Sequence, residues 1–207
     1  LKDNKEVVNL IVDNGNDYAY ELYFEKIKKI QNCFVLKVNV NEGKGKGIKK
    51  GIKYLKALKI DLNYVIFSDA DGQHTYQDIS KFIEMCNNVD DNFFLIGDRQ
   101  HNIRTPLKNR LGNLIYNFLL NQKYKLQLND SLCGLRAINF SNLYILEELS
   151  TDEFDFEIDT LITIKTRFKI NFKQVNISST YFKERKTNFL SMLDSYKLIK
   201  YLYKKIK

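Results

Sequence analysis

The sequence predicts a three-layer α/β/α sandwich with a mostly parallel central sheet, and three observations carry that prediction. Short apolar runs alternate with stretches of helical periodicity along the first hundred residues. Asp13, Asn41 and Asp69 fall where apolar runs stop, and ligands of such sheets gather beyond the carboxyl ends of strands. A chain of 207 residues, 44% of them hydrophobic, is also long enough to bury the core of one ordinary domain.

The elements follow in order. Val7 to Val12 and Phe34 to Val40 read as buried strands, with an amphipathic helix from about Tyr18 to Ile30 between them. After Lys46, the residues Ile48, Ile52, Leu55 and Leu58 share one helix face and lead into a strand from Tyr64 to Ser68. Thr75-Tyr76-Gln77-Asp78 carries the signature of a helix start, a hydroxyl with an acid three residues on. Ile79, Phe82, Ile83 and Cys86 continue it at helical spacing, and Phe93 to Gly97 is the next strand. Near 106–121 the stripe Leu107, Leu111, Leu114, Ile115, Phe118 and Leu119 has Lys108 and Arg110 beside it. Near 188–206 a second stripe, Phe189, Met192, Leu193, Tyr196, Ile199 and Tyr203, is flanked by lysines. Each stripe suits either packing on a core or resting in a lipid headgroup layer. No internal repeat or low-complexity linker interrupts the chain, so residues 1–207 are expected to form a single domain.

Composition narrows the function classes. A net charge of +8 points to an anionic partner, although a chain rich in Lys, Asn and Ile throughout accumulates such charge without any function. Nucleic acid is not expected, because the aromatic residues do not interleave with basic ones as a stacking platform requires. Cys33, Cys86 and Cys133 are odd in number and lack metal-ligand spacing, which fits reduced thiols in a cytosolic protein. No apolar run approaches the roughly 18 residues of a membrane span and no signal peptide is seen, so any membrane contact is expected at one face.

The run Tyr64-Val65-Ile66-Phe67-Ser68-Asp69-Ala70-Asp71-Gly72-Gln73-His74 is the most informative. In an extended segment Asp69 and Asp71 project to one side and Gln73 continues the series. Hard oxygen donors of this kind suit Mg²⁺ or Mn²⁺, which keep positions open for the phosphates of a substrate. Asp-Ala-Asp-Gly is equally a composition for a plain turn.

Several motifs occur in a fixed order: Asn41-Glu42-Gly43-Lys44-Gly45 with Gly51, Asp69 to His74, Gly97-Asp98-Arg99, Asp130-Ser131-Leu132-Cys133-Gly134-Leu135-Arg136, Phe156-Glu157, and Tyr181 to Arg185. The set resembles family 2 glycosyltransferases, most nearly the dolichyl- and polyprenyl-phosphate sugar transferases, over about Val8 to Tyr203. The resemblance implies a Rossmann-like GT-A fold, a UDP- or GDP-hexose donor, Mn²⁺ or Mg²⁺, and transfer with inversion. A polyprenyl phosphate is the implied acceptor, met by peripheral contact with the anionic cytoplasmic face of a membrane. Two departures stand out. Leu10-Ile11-Val12-Asp13-Asn14-Gly15 matches a strand whose usual ending has a second acid where Asn14 stands, and the family's first strand has no counterpart ahead of it.

Roles follow for the matched residues. Asp13, Asn14, Gly43, Lys44, Asp69 and Arg99 are expected to bind the nucleotide sugar, with glycines letting the backbone approach it. Asp71, Asp69 and Gln73 are the expected metal ligands, and His74 is expected to support their loop. Arg99, Arg110, Arg136 and Arg185 are candidate clamps for donor or acceptor phosphates, since a guanidinium grips phosphate through paired hydrogen bonds. Asp130, ahead of Glu157, is the candidate acid beside the acceptor, alongside Asp71 in the catalytic set. A hydroxyl acceptor needs a carboxylate to take its proton, whereas a lipid phosphate is already anionic. Alternatives are a saccharide or protein acceptor, or a nucleotide-sugar binding module without catalysis.

Overall fold

The computed structural model describes residues 7–16, 18–89, 92–99, 107–153, 155–168 and 170–178, and within 107–112 the main chain alone. Two compact units are resolved, made of the described parts of Leu1–Asp61 with Leu146–Phe156 and of Leu62–Ile145 with Glu157–Lys207.

In the first unit, β1 (Asn9–Asn14) pairs in parallel with β2 (Cys33–Val38), Leu10 opposite Phe34 and Val12 opposite Leu36. Between them run a 3₁₀ turn at Tyr18–Tyr20 and α1 (Glu21–Lys28), where one helix was expected. Among the described residues no strand precedes β1. Helix α2 (Lys44–Ala57) lies on β1, where Gly51 leaves room for the methyl of Val12, and it buries Ile52 and Leu55. The segment after α5 (Tyr144–Glu147) is laced to α2 by Lys49. Its ammonium donates to the carbonyls of Leu149 (2.5 Å) and Thr151 (2.9 Å) and to Asp152 Oδ1 (2.7 Å), and sits over the Phe156 ring.

The second unit holds a four-stranded sheet in the order β3 (Tyr64–Phe67), β5 (Arg136–Asn139), β4 (Phe93–Arg99), β6 (Asn171–Ile177). Three of these strands run one way and β5 runs against both neighbours. Its core is the fully buried run Phe93 to Ile96 with Phe82, Leu135, Ile138 and Ile158. Truncating a side chain such as Phe82 to Ala costs about 3–5 kcal/mol. Helix α3 (Tyr76–Asn87) opens on the capping box expected at Thr75: the Asp78 amide donates to the Thr75 hydroxyl, and the Thr75 amide to the Asp78 carboxylate. Such a cap is worth about 1 kcal/mol. The Asp78 carboxylate also accepts from the amide and hydroxyl of Ser178, tying α3 to the end of β6.

Helix α4 (Leu107–Tyr124) forms where expected, but its apolar residues are divided between a buried and an exposed face. Leu114 (56% exposed), Ile115 and Phe118 (62%) face outward, while Asn113, Tyr116, Asn117 and Leu120 are buried. The asparagines turn inward because the chain folding back from α4 offers them main-chain partners. Lys125 and Gln127, both in left-handed conformation, reverse the backbone so that residues 128–131 run beside the helix. Helix α6 (Asp155–Arg167) carries Glu157 in its first turn, and β5 and β6 were not foreseen as strands. The expected helix near 188–206 lies outside the described residues.

Candidate functional site

In the first unit the candidate residues gather where β1 ends and α2 begins. Asp13 is buried, and its Oδ1 accepts from the amide (3.0 Å) and side chain (2.7 Å) of Asn16, which bends the chain after β1. Asn14 donates from Nδ2 to the Gly43 carbonyl (3.0 Å) and to Asn41 Oδ1 (3.2 Å). A carboxylate at position 14 would set an acceptor against two acceptors, so the amide suits this loop where an acid would not. Gly43 has φ +100°, and a Cβ there would lie 3.2 Å from the carbonyl carbon of Asp152. Only glycine fits, and Lys44 follows as the first residue of α2.

In the second unit β3 stops at Phe67, before the first of the expected metal ligands. Residues 70–72 form a turn with Gly72 at φ +78°, and Asp71 Oδ1 accepts from the Gln73 amide at 2.9 Å. The i, i+2 projection expected of an extended strand is therefore replaced by a loop that Asp71 itself braces. Asp71 is exposed, whereas Asp69 lies half-buried against Gly134, where a Cβ would come within 2.8 Å of the Asp69 carboxyl carbon. The donor set of two carboxylates and one amide oxygen suits Mg²⁺ or Mn²⁺, and the missing Cβ of Gly134 is what admits Asp69. Among the described residues no group of three His, Cys, Asp or Glu could hold a metal by itself. A cation at this loop would complete its shell with phosphate oxygens and water. The His74 imidazole has its pKa lowered by burial first of all, with Asp69 pulling upward and Arg99 downward. A neutral ring suits the supporting role expected of it.

Asp130 and Arg136 sit differently from expectation. The Asp130 carboxylate is buried (1% exposed) and accepts from Arg99 Nε (2.6 Å), Arg99 Nη2 (3.0 Å), the Arg99 amide (3.2 Å) and Asn113 Nδ2 (2.9 Å). Its two oxygens thus serve protein donors, an arrangement that leaves a proton-accepting role without geometric support. Arg136 is also buried, and its guanidinium donates to the carbonyls of Cys133 (2.8 Å), Glu157 (2.8 Å) and Ser131 (3.0 Å). Those bonds fix the 131–136 loop, where a phosphate clamp was expected. Glu157 stands in the first turn of α6 with its carboxylate 4.0 Å from Arg136, largely shielded from solvent. The side chain of Arg110 and all of Arg185 lie outside the described residues.

Sequence reasoning missed Asn113, Asn117 and Asn121. Asn117 Oδ1 accepts from the Ser131 amide (2.9 Å) and its Nδ2 donates to the Asn129 carbonyl; Asn121 exchanges bonds with both main-chain groups of Leu128 (3.2 Å each). The signal was present as asparagine at every fourth position, Asn113, Asn117 and Asn121, with apolar or aromatic residues between them.

Comparison with known proteins agrees with the family resemblance. The family model described as glycosyl transferase family 2 matches residues 2–146. A UDP-N-acetylglucosamine–dolichyl-phosphate N-acetylglucosaminyltransferase of Methanococcus voltae is 33% identical over 154 residues, covering 70% of this chain and 59% of the relative. A dolichyl-phosphate beta-glucosyltransferase of Saccharomyces cerevisiae is 24% identical over 184 residues, covering 80% and 53%. The chain thus spans little more than half the length of these relatives. Among solved structures, glucosyl-3-phosphoglycerate synthase from Mycobacterium tuberculosis in complex with Mn²⁺, UDP and glucosyl-3-phosphoglycerate superposes with TM-score 0.71. That likeness, at 16% identity over 94% of this chain and 67% of the other, establishes the GT-A-like α/β fold.

Proposed function

This chain belongs to glycosyl transferase family 2, and from that premise we propose that it moves a hexose from a UDP- or GDP-sugar to a polyprenyl phosphate at the cytoplasmic face of a membrane. An acceptor phosphate oxygen attacks the anomeric carbon from the side opposite the nucleotide. The bond from that carbon to the departing diphosphate breaks, its electron pair leaves with the diphosphate, and the configuration inverts. Mn²⁺ or Mg²⁺, held by Asp71, Asp69 and Gln73, would neutralise charge on the leaving group.

In this reading residues 1–207 act as one glycosyltransferase domain. Asp13, Asn14, Gly43 and Lys44 engage the nucleoside end of the donor, and Arg99 binds phosphate, as would Arg110 and Arg185. The relatives named for dolichyl-phosphate transfer support the acceptor class. The single observation carrying the lipid acceptor is the outward apolar face of α4, where Leu114, Ile115 and Phe118 are exposed on a strongly basic chain. No helix among the described residues is long and apolar enough to cross a membrane. The occupied carboxylate of Asp130 also favours a phosphate over a saccharide or protein hydroxyl, which would need a base.

The test is transfer of radiolabelled hexose from UDP- and GDP-sugars, with Mn²⁺, to polyprenyl phosphate in detergent or to soluble saccharides and peptides. Label is expected in the organic phase only with the lipid. Label moving only to soluble acceptors would replace the proposed acceptor, and donor binding without transfer or hydrolysis would make the chain a binding module.

A further inference from the structure

We infer that Asp130 is a positioning residue, which with Asn113 and Asn117 of α4 holds the Arg99 guanidinium ready for a substrate phosphate. The inference rests on the reading above, that the substrates carry phosphates, and assigns Asp130 a part other than proton transfer.

Asp130 reaches Arg99 through three hydrogen bonds, from the main-chain amide and two guanidinium nitrogens, so it fixes both the backbone and the side chain of that residue at the end of β4. Paired guanidinium–carboxylate bonds of this kind allow one orientation, and burial protects them from solvent screening. Asp130 is itself held from several sides. Asn113 donates to its Oδ1, and Asn117 clamps its neighbours Asn129 and Ser131. On the opposite flank Asp98 accepts from the Asn129 side chain (2.8 Å), and Gln174 of β6 accepts from the Asn129 amide (2.7 Å). Such a network does little for stability that well-packed apolar residues would not do, since desolvating two charges offsets most of their attraction. What it does achieve is a single fixed pose for one arginine.

Two phosphates are available to Arg99, the donor diphosphate and the acceptor monoester. The probes are therefore UDP and GDP with Mn²⁺ in one arm and farnesyl phosphate in the other, titrated calorimetrically into wild type, Arg99→Ala, Asp130→Asn, the double variant, and Asn113→Ala. Arg99→Ala should weaken one probe about ten- to hundredfold, the loss expected for a charge-assisted hydrogen bond. Asp130→Asn should weaken the same probe by a comparable factor, and the double variant no further, because both act through one contact. Asn113→Ala removes only one bond to the carboxylate and so guards against a variant that fails to fold; it should weaken that probe severalfold. In turnover, the Asp130→Asn loss should appear in KM for that substrate, with the acidic limb of the pH–rate profile kept. Loss of kcat and of that limb with KM unchanged would make Asp130 the base and overturn the inference. Wild-type affinity in the variants, or effects that multiply in the double variant, would overturn it alone. A wild type that binds neither probe would remove the functional reading and this inference together.

Discussion

The carboxylate of Asp69 rests on the α-carbon of Gly134, so close that a Cβ at the glycine would lie 2.8 Å from the carboxyl carbon. The expected metal loop and the 130–136 loop are thereby fitted to each other at one atom. Gly134→Ala should push Asp69 aside and weaken Mn²⁺-dependent UDP or GDP binding about tenfold or more, equivalent to about 1.4 kcal/mol. Unchanged affinity by titration calorimetry would remove Asp69 from the site.

Asn14→Asp tests why an amide stands where the motif resemblance leads one to expect an acid. The substitution turns a donor to Gly43 and Asn41 into an acceptor facing two acceptors. It should lower unfolding stability by about 1–3 kcal/mol, the cost of an unmatched polar group, and weaken nucleotide binding with it. Urea denaturation with and without nucleotide separates the two effects.

Asp78 should make stability depend on acid pH. Burial alone would raise its carboxyl, but hydrogen bonds from Ser178 and Thr75 outweigh that and hold it below the usual range. A depressed folded value means stabilisation that is complete above the unfolded pKa, about 3.9, and lost as pH falls through the folded one. Asp78→Asn should therefore be less stable than wild type at neutral pH, and the gap should narrow below about pH 4. Thermal melts from pH 7 to 3 read this; a constant gap would show that the carboxylate charge is not what binds Ser178.

The outward face of α4 is expected to touch lipid. Leu114→Glu and Phe118→Glu each alter an exposed side chain, so stability should stay within about 0.5 kcal/mol of wild type. Co-sedimentation with anionic vesicles should fall severalfold for each. Full retention on vesicles would place the membrane contact elsewhere.

The three thiols should differ in reactivity. Burial pushes Cys86 and Cys133 up to about 12, leaving almost no thiolate at neutral pH, while Cys33 is only half-buried. Iodoacetamide on the native protein at pH 8, read by mass spectrometry, should mark Cys33 first. Early labelling of Cys133 would show that the 130–136 loop opens.

The sequence alone determined β1 to β4, helices α2 and α3 and the residues clustered at strand ends, because each rests on local periodicity or a local cap such as Thr75 with Asp78. Strands β5 and β6 escaped it: Arg136-Ala137-Ile138-Asn139 is too short to show a period, and Asn171 to Ile177 is an edge rich in polar residues. Tertiary structure alone decided that Asp130 faces Arg99, 31 residues away, and that Asp69 lies against Gly134. It also decided that α4 turns Asn113 and Asn117 inward and Leu114, Ile115 and Phe118 outward. Periodicity states which residues share a helix face; which face is buried depends on the hydrogen-bond partners that distant parts of the chain bring to it.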